Sequence, residues 1–219
     1  ALAAAKAFAS NLAAGLELEW EPADALQLRA DTLLLSSPER LDGRREAAQL
    51  TELYLRAREL PCAPTLGKRL VLWGRADALN PTDQLSPTHF RRMTPRIADQ
   101  REGRWGLHLD CRVGNGRLQL HGLDGFEFNE IPFDASAPVT LRHGSPDVDR
   151  TLAIRYDRLG TRIDWSISAI DGYDLFPTLQ LDPLAGPLPT LDLVATRMRL
   201  FGGDAAMPLG NWVFRGEMA

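Results

Sequence analysis

Only two cysteines and four histidines occur in the 219 residues. Two cysteines exclude a disulfide framework. Cys62 and Cys111 can still form one bridge, but they are expected to pack as buried thiols, Cys111 on the apolar side of a strand. Basic excess is missing as well: 25 Lys and Arg stand against 29 Asp and Glu, a net charge of −4. This argues against nucleic acid as a partner. No apolar run approaches the length of a transmembrane helix, so no transmembrane segment is expected. Gly-x-Ser-x-Gly, Gly-x-Gly-x-x-Gly and phosphate-loop patterns are all absent, which removes the common signatures of serine hydrolases and nucleotide-binding proteins.

What the sequence does contain is period-two alternation. Trp105, Leu107, Leu109, Cys111 and Val113 alternate with Gly106, His108, Asp110 and Arg112, the pattern of a strand with one apolar face. Asn115-Gly116 follows, the residue pair best suited to a tight type I′ turn, and Leu118 and Leu120 continue beyond it. This register places Cys111 opposite Leu120 and His121 opposite Asp110. A second hairpin follows at 150–168. With a loop at 157–160 and positive φ at Gly160, Leu152, Ile154 and Tyr156 share a face with Trp165, Ile163 and Thr161. Arg155 then falls on the other, water-facing side. The apolar faces should form the core, with Trp105 and Trp165 inside.

The two hairpins have similar sequels. Leu123-Asp124-Gly125-Phe126 corresponds to Ile170-Asp171-Gly172-Tyr173, with the Asp-Gly steps read as turns. We read tandem units at about 104–147 and 150–200, plus a C-terminal strand, within a β domain at 102–219. The expected fold is mainly β (α+β): a short helical N-terminal part, then a duplicated antiparallel unit forming a sandwich or partly open barrel.

The N-terminal region, 1–76, is expected to hold an alanine-rich helix at 2–14, a hairpin within 16–35 and one main helix near 44–59. The helix near 44–59 is inferred from Leu50, Leu53, Tyr54, Ala57 and Leu60, behind a Ser-Ser-Pro-Glu start signal. Residues 77–101, with Pro81, Pro87 and Pro95, form an irregular connection.

Two candidate sites emerge. His108, Asp110 and His121 share one sheet face and make a two-histidine, one-carboxylate set able to hold a divalent metal such as iron. The alternative reading of these residues is an exposed Asp–His pair. Arg91, Arg92 and Arg96 could meet an anion or a protein partner, as against a solvated basic surface. Without other catalytic signatures, the expected function is a non-enzymatic structural or binding module of a secreted or envelope-associated assembly, with a protein partner and no cofactor. A metal-dependent enzyme and a carrier of an apolar ligand between sheets are the alternatives.

Overall fold

The computed structural model describes residues 12–23, 25–36, 46–75, 80–90, 100–130, 140–144, 146, 149–182 and 189–219. Within them lie thirteen strands: β1 (Leu12–Ala23), β2 (Leu26–Ser36), β3 (Glu46–Ala57), β4 (Cys62–Arg69), β5 (Arg104–Val113), β6 (Gly116–Asp124), β7 (Thr140–His143), β8 (Arg150–Arg158), β9 (Asp164–Tyr173), β10 (Thr178–Asp182), β11 (Thr190–Val194), β12 (Arg197–Leu209) and β13 (Trp212–Met218). Ten form one antiparallel sheet in the order β1-β2-β3-β4-β5-β6-β8-β9-β12-β13, and β10-β11-β7 form a small second sheet. The large sheet is a meander in which each strand pairs with its predecessor in the list.

The helix expected near 44–59 is strand β3. Its residues pair in order with β2, Leu28 opposite Leu55 and Leu26 opposite Ala57, and then with β4, Leu55 opposite Leu66. Leu53 and Leu55 share one side and Tyr54 and Arg56 the other, so period two prevails once β2 and β4 offer hydrogen bonds on both sides. Of the helix expected at 2–14, residues 12–14 belong to β1 and the rest lies outside the described residues. The proposed helix start at Ser37-Pro38-Glu39 also lies outside them.

Both hairpin registers shift by an even number of residues, which preserves the faces. The turn between β5 and β6 is Gly114-Asn115, with φ of 56° at Gly114, so glycine takes the left-handed position. Cys111 therefore sits opposite Leu118, and His108 opposite His121. The β8–β9 connection spans 159–163, placing Ile154 opposite Ala169 and Arg158 opposite Trp165. Gly160 does not have positive φ; a Cβ there would come within 2.3 Å of the Ile163 carbonyl oxygen. Asp171-Gly172 lies inside β9 rather than in a turn. The two hairpins are neighbours in one sheet, joined by β6–β8 pairing.

Cys62 and Cys111, directly opposed on β4 and β5, are joined by a disulfide. This corrects the expectation of two thiols. The pairing of β4 with β5 was not readable locally, because 34 residues separate them in sequence.

On the central strands of the large sheet the apolar residues are the exposed ones and the polar residues are buried. On β8, Thr151, Ala153 and Arg155 are buried while Leu152 is 64% exposed. Ile167 on β9 is 58% and Phe201 on β12 74% exposed. The core instead lies against the polar face, where Val71, Trp73 and Leu85 pack on Leu123, Ala153 and Ile170. Of the tryptophans, Trp73 is buried, whereas Trp20, Trp105 and Trp212 are exposed. Core filling by Trp105 is thus overturned: its strand face looks outward.

Candidate functional site

The polar face is built by the residues that alternate with the apolar ones. On β5 these are Arg104, Gly106, His108, Asp110 and Arg112; on β8 they are Thr151, Ala153, Arg155 and Asp157. Arg155, expected at a wet surface, is 5% exposed. Its guanidinium donates to Asp204 Oδ2 at 2.7 Å and lies 5.8 Å from the centre of the Trp73 ring. Asp204 also accepts from Ser166 Oγ at 2.5 Å and from Arg75, which in turn reaches Asp157. One carboxylate from β12 thereby ties β8, β9 and the segment after β4 together. Such a group is tolerated out of water only because every charge has a partner.

The segment after β4 is pinned across this face. Ser86 Oγ donates to the Val71 carbonyl and accepts from its N–H, both at 3.0 Å. Asp83 accepts from Trp73 N at 3.3 Å and Arg101 Nη2 at 2.5 Å. Burial pushes the Asp83 carboxyl up to about 6, against the pull of Arg101. Thr82 donates from its N–H at 2.9 Å and its hydroxyl at 2.6 Å to Glu217 on β13. Nearby, Glu102 receives Lys68 and His89, the latter at 2.7 Å. Burial raises this carboxyl, but those two hydrogen bonds more than offset it and hold it at about 2.

The sequence-derived candidates divide. His108 and His121 meet, one Nδ1 donating to the other at 2.8 Å, and both are buried. Their Nε2 atoms are buried with no hydrogen-bond partner. Asp110 is on the same face but is engaged by three guanidiniums: Arg117 at 2.7 Å, Arg69 at 3.1 Å and Arg56 at 3.4 Å. Among the described residues, no three His, Cys, Asp or Glu side chains converge as a metal-ligand group. Arg91, Arg92 and Arg96 lie outside the described residues.

Sequence reasoning missed Arg56, Arg69, Arg75 and Asp204. Arg75 and Asp204 are 129 residues apart, and Arg56 fell within a predicted helix. Alternation carried the missing signal: arginine and aspartate recur on one parity of successive strands.

Two hollows accompany the sheet. One, about 600 Å³, is a depression on the outward face where Gly122 and Ala169 lie among Leu107, Leu120, Ile154 and Phe201, with the ion pair of Asp171 and Arg199 at its side. The other, about 940 Å³, is a cleft lined by Arg56, Arg112, Arg117 and Asp110 at the β5–β6 turn. Compared with known proteins, the chain matches no protein family, no curated protein and no solved structure. Among the described residues, no helix is long and apolar enough to cross a membrane.

Proposed function

We propose that this chain is a non-enzymatic wall of an envelope-membrane β-barrel, with its apolar face against lipid and its polar face turned to an interior that the segment after β4 partly fills. The observation that carries the reading is the reversed alternation. The row Pro64, Leu109, Leu120, Ile154, Ala169 and Phe201 runs across six paired strands without a polar side chain. On β8 the outward residues are Arg150, Leu152, Ile154, Tyr156 and Arg158. The two arginines that bound this stretch are eight residues apart, about 27 Å along the strand. At a tilt of about 40° this covers roughly 20 Å of an apolar band expected to be about 25 Å tall, and arginine stems reach past the remainder.

The connections support the same reading. At one end of the meander they span 24–25, 58–61, 114–115, 159–163 and 210–211. At the other they span 37–45, 70–103, 125–149 and 174–196, and hold β7, β10 and β11. Short turns on one side and long loops on the other are characteristic of outer-membrane barrels. Strands of 9 to 13 residues dominate, near the length such barrels need. Tyr156 and Trp165, in ring contact at 5.7 Å, and Trp212 mark the short-turn border. Aromatic side chains of this kind gather where a membrane meets water.

On this reading the partly open barrel is preferred to a sandwich, and the likeness of 104–147 to 150–200 reflects successive hairpins added to one wall. A bilayer does not tolerate unpaired strand edges, so β1 and β13 must be paired there. His108 meeting His121 while Asp110 meets arginines favours the non-enzymatic reading over a metal enzyme. The apolar-ligand carrier is a second reading that the depression near Gly122 favours.

The test is quenching of tryptophan fluorescence by brominated phosphatidylcholine after reconstitution into vesicles. Trp20, Trp105 and Trp212 should be quenched and Trp73 protected, in single-tryptophan variants. A chain that stays monodisperse in water without detergent and shows no quenching would overturn the proposal. Capture of one free lipid per chain in water would favour the carrier.

A further inference from the structure

We infer that the cleft at the β5–β6 turn binds an oxyanion, a carboxylate or phosphate, through Arg112, Arg117 and Arg56. The inference does not need the bilayer reading, because it rests on the charge arrangement of the polar face alone. Arg112 and Arg117 are directly opposite each other across β5 and β6. Like charges in that relation repel; Arg117 is compensated by Asp110 and by Asp157 opposite it on β8, whereas among the described residues no ion pair reaches Arg112.

Of the two carboxylates on these strands, Asp124 lies at the far end of β6, opposite Trp105, and Asp110 is already crowded. Arg117, Arg69 and Arg56 all converge on it, and its side chain is 4% exposed. The other acids of the cleft do not balance the account. Asp157 is engaged by Arg75, and Arg58 is balanced by Glu21. The cleft is lined by four guanidiniums (Arg56, Arg58, Arg112 and Arg117) and three carboxylates (Glu59, Asp110 and Asp157), while Arg69 and Arg75 reach Asp110 and Asp157 from outside that lining. Arg56 also lines the cleft, and its Nε is buried with no hydrogen-bond partner.

The geometry suits an anion with several oxygens. Arg117 is half exposed and Arg112 exposed, so both can turn toward a solute in the cleft while Arg69 stays on Asp110. Guanidinium forks pair bidentately with carboxylate and phosphate. Chloride, lacking that geometry, should compete poorly. The volume of about 940 Å³ admits a small organic acid or a phosphorylated or acidic sugar residue.

The experiment is calorimetric titration of the folded full chain with inorganic phosphate and, separately, malonate, at constant ionic strength set with sodium chloride. Binding with Kd below about 1 mM is expected for at least one of them, and which one binds identifies the oxyanion class. Arg112→Gln with Arg117→Gln should weaken it at least tenfold, and Arg112→Lys by only a few-fold. Arg91→Gln, Arg92→Gln and Arg96→Gln together should leave it unchanged. Single Arg112→Gln, at an exposed side chain, serves if the double variant does not fold. Lack of binding by both anions, binding equal in the Arg112 and Arg117 variants, or loss that follows Arg91, Arg92 and Arg96 would overturn the assignment. Anion binding by a chain that fails the lipid-quenching test would uphold the cleft and reject the membrane wall.

Discussion

Phe201 offers the sharpest discrimination between a sheet face meant for water and one meant for lipid. It is 74% exposed and lies on the apolar row with Ala169 and Ile154. Full burial of a phenylalanine stabilises by about 1.5–3 kcal/mol, so a side chain this exposed contributes well under 1 kcal/mol in water. Phe201→Arg should then be nearly neutral, within about 0.5 kcal/mol, as for most surface substitutions. If the same face meets acyl chains near the bilayer centre, arginine costs about 2–4 kcal/mol, falling to about 0–1 near the interface. Leu209, on the same strand and beside the 210–211 turn, supplies the shallow position. We expect Phe201→Arg to destabilise by about 2–4 kcal/mol and Leu209→Arg by less than about 1 kcal/mol. The assay is equilibrium guanidinium unfolding in phosphatidylcholine vesicles, with the denaturant slope checked for constancy across variants. Two near-neutral substitutions, or equal costs at the two depths, would refute the lipid-facing assignment.

Three further outcomes follow from the polar face and the crosslink. Asp204→Ala leaves Arg155 buried beside Trp73 without its carboxylate, and should cost about 3–5 kcal/mol in the same unfolding assay. Reducing Cys62–Cys111, which closes a sequence separation of 49, should lower stability by up to about 4 kcal/mol on chain entropy, read as the difference in unfolding midpoint with and without dithiothreitol. The pH profile should have two limbs of opposite sign. Glu102, held at about 2 against an ordinary 4.5, contributes stability above pH 4.5 that is lost as pH falls toward 2, on the order of 3 kcal/mol. Asp83, pushed up to about 6 from 3.8, contributes stability below pH 3.8 that is lost as pH rises through 6. Glu102→Gln should flatten the acid limb and Asp83→Asn the decline between about pH 4 and 6, both read by unfolding midpoints across pH.

Much of the large sheet was legible in the sequence because alternation is a local property. The strands around Trp105 to Val113 and Thr151 to Tyr156 were readable from parity, and an even-numbered shift of register leaves parity intact. This is why both hairpin registers could be wrong while the faces were right. Strand β3 was misread because Leu50, Leu53, Tyr54 and Ala57 satisfy a helical spacing almost as well as a strand one. Leu53 and Leu55 on one side, with Glu52, Tyr54 and Arg56 on the other, fit period two, and pairing with β2 and β4 decides between them.

The direction of the faces was not legible, and that error propagated into the site. Alternation says which residues share a side; it does not say whether that side meets protein, water or lipid. Assigning the apolar side to the core put Leu152 and Trp105 inside and Arg155 outside, the reverse of what is found. Arg155 opposite Ser168 acquires meaning only once that side is enclosed. There a guanidinium must find a carboxylate, as Arg155 finds Asp204. The same enclosure explains why His108 and Asp110, two residues apart on one strand, serve different partners: register sets His121 against the histidine, while β3, β4 and β6 bring arginines to the aspartate. Arginines that recur on the buried parity of a strand whose other parity is exposed and apolar are therefore the sequence feature most worth seeking in such a chain.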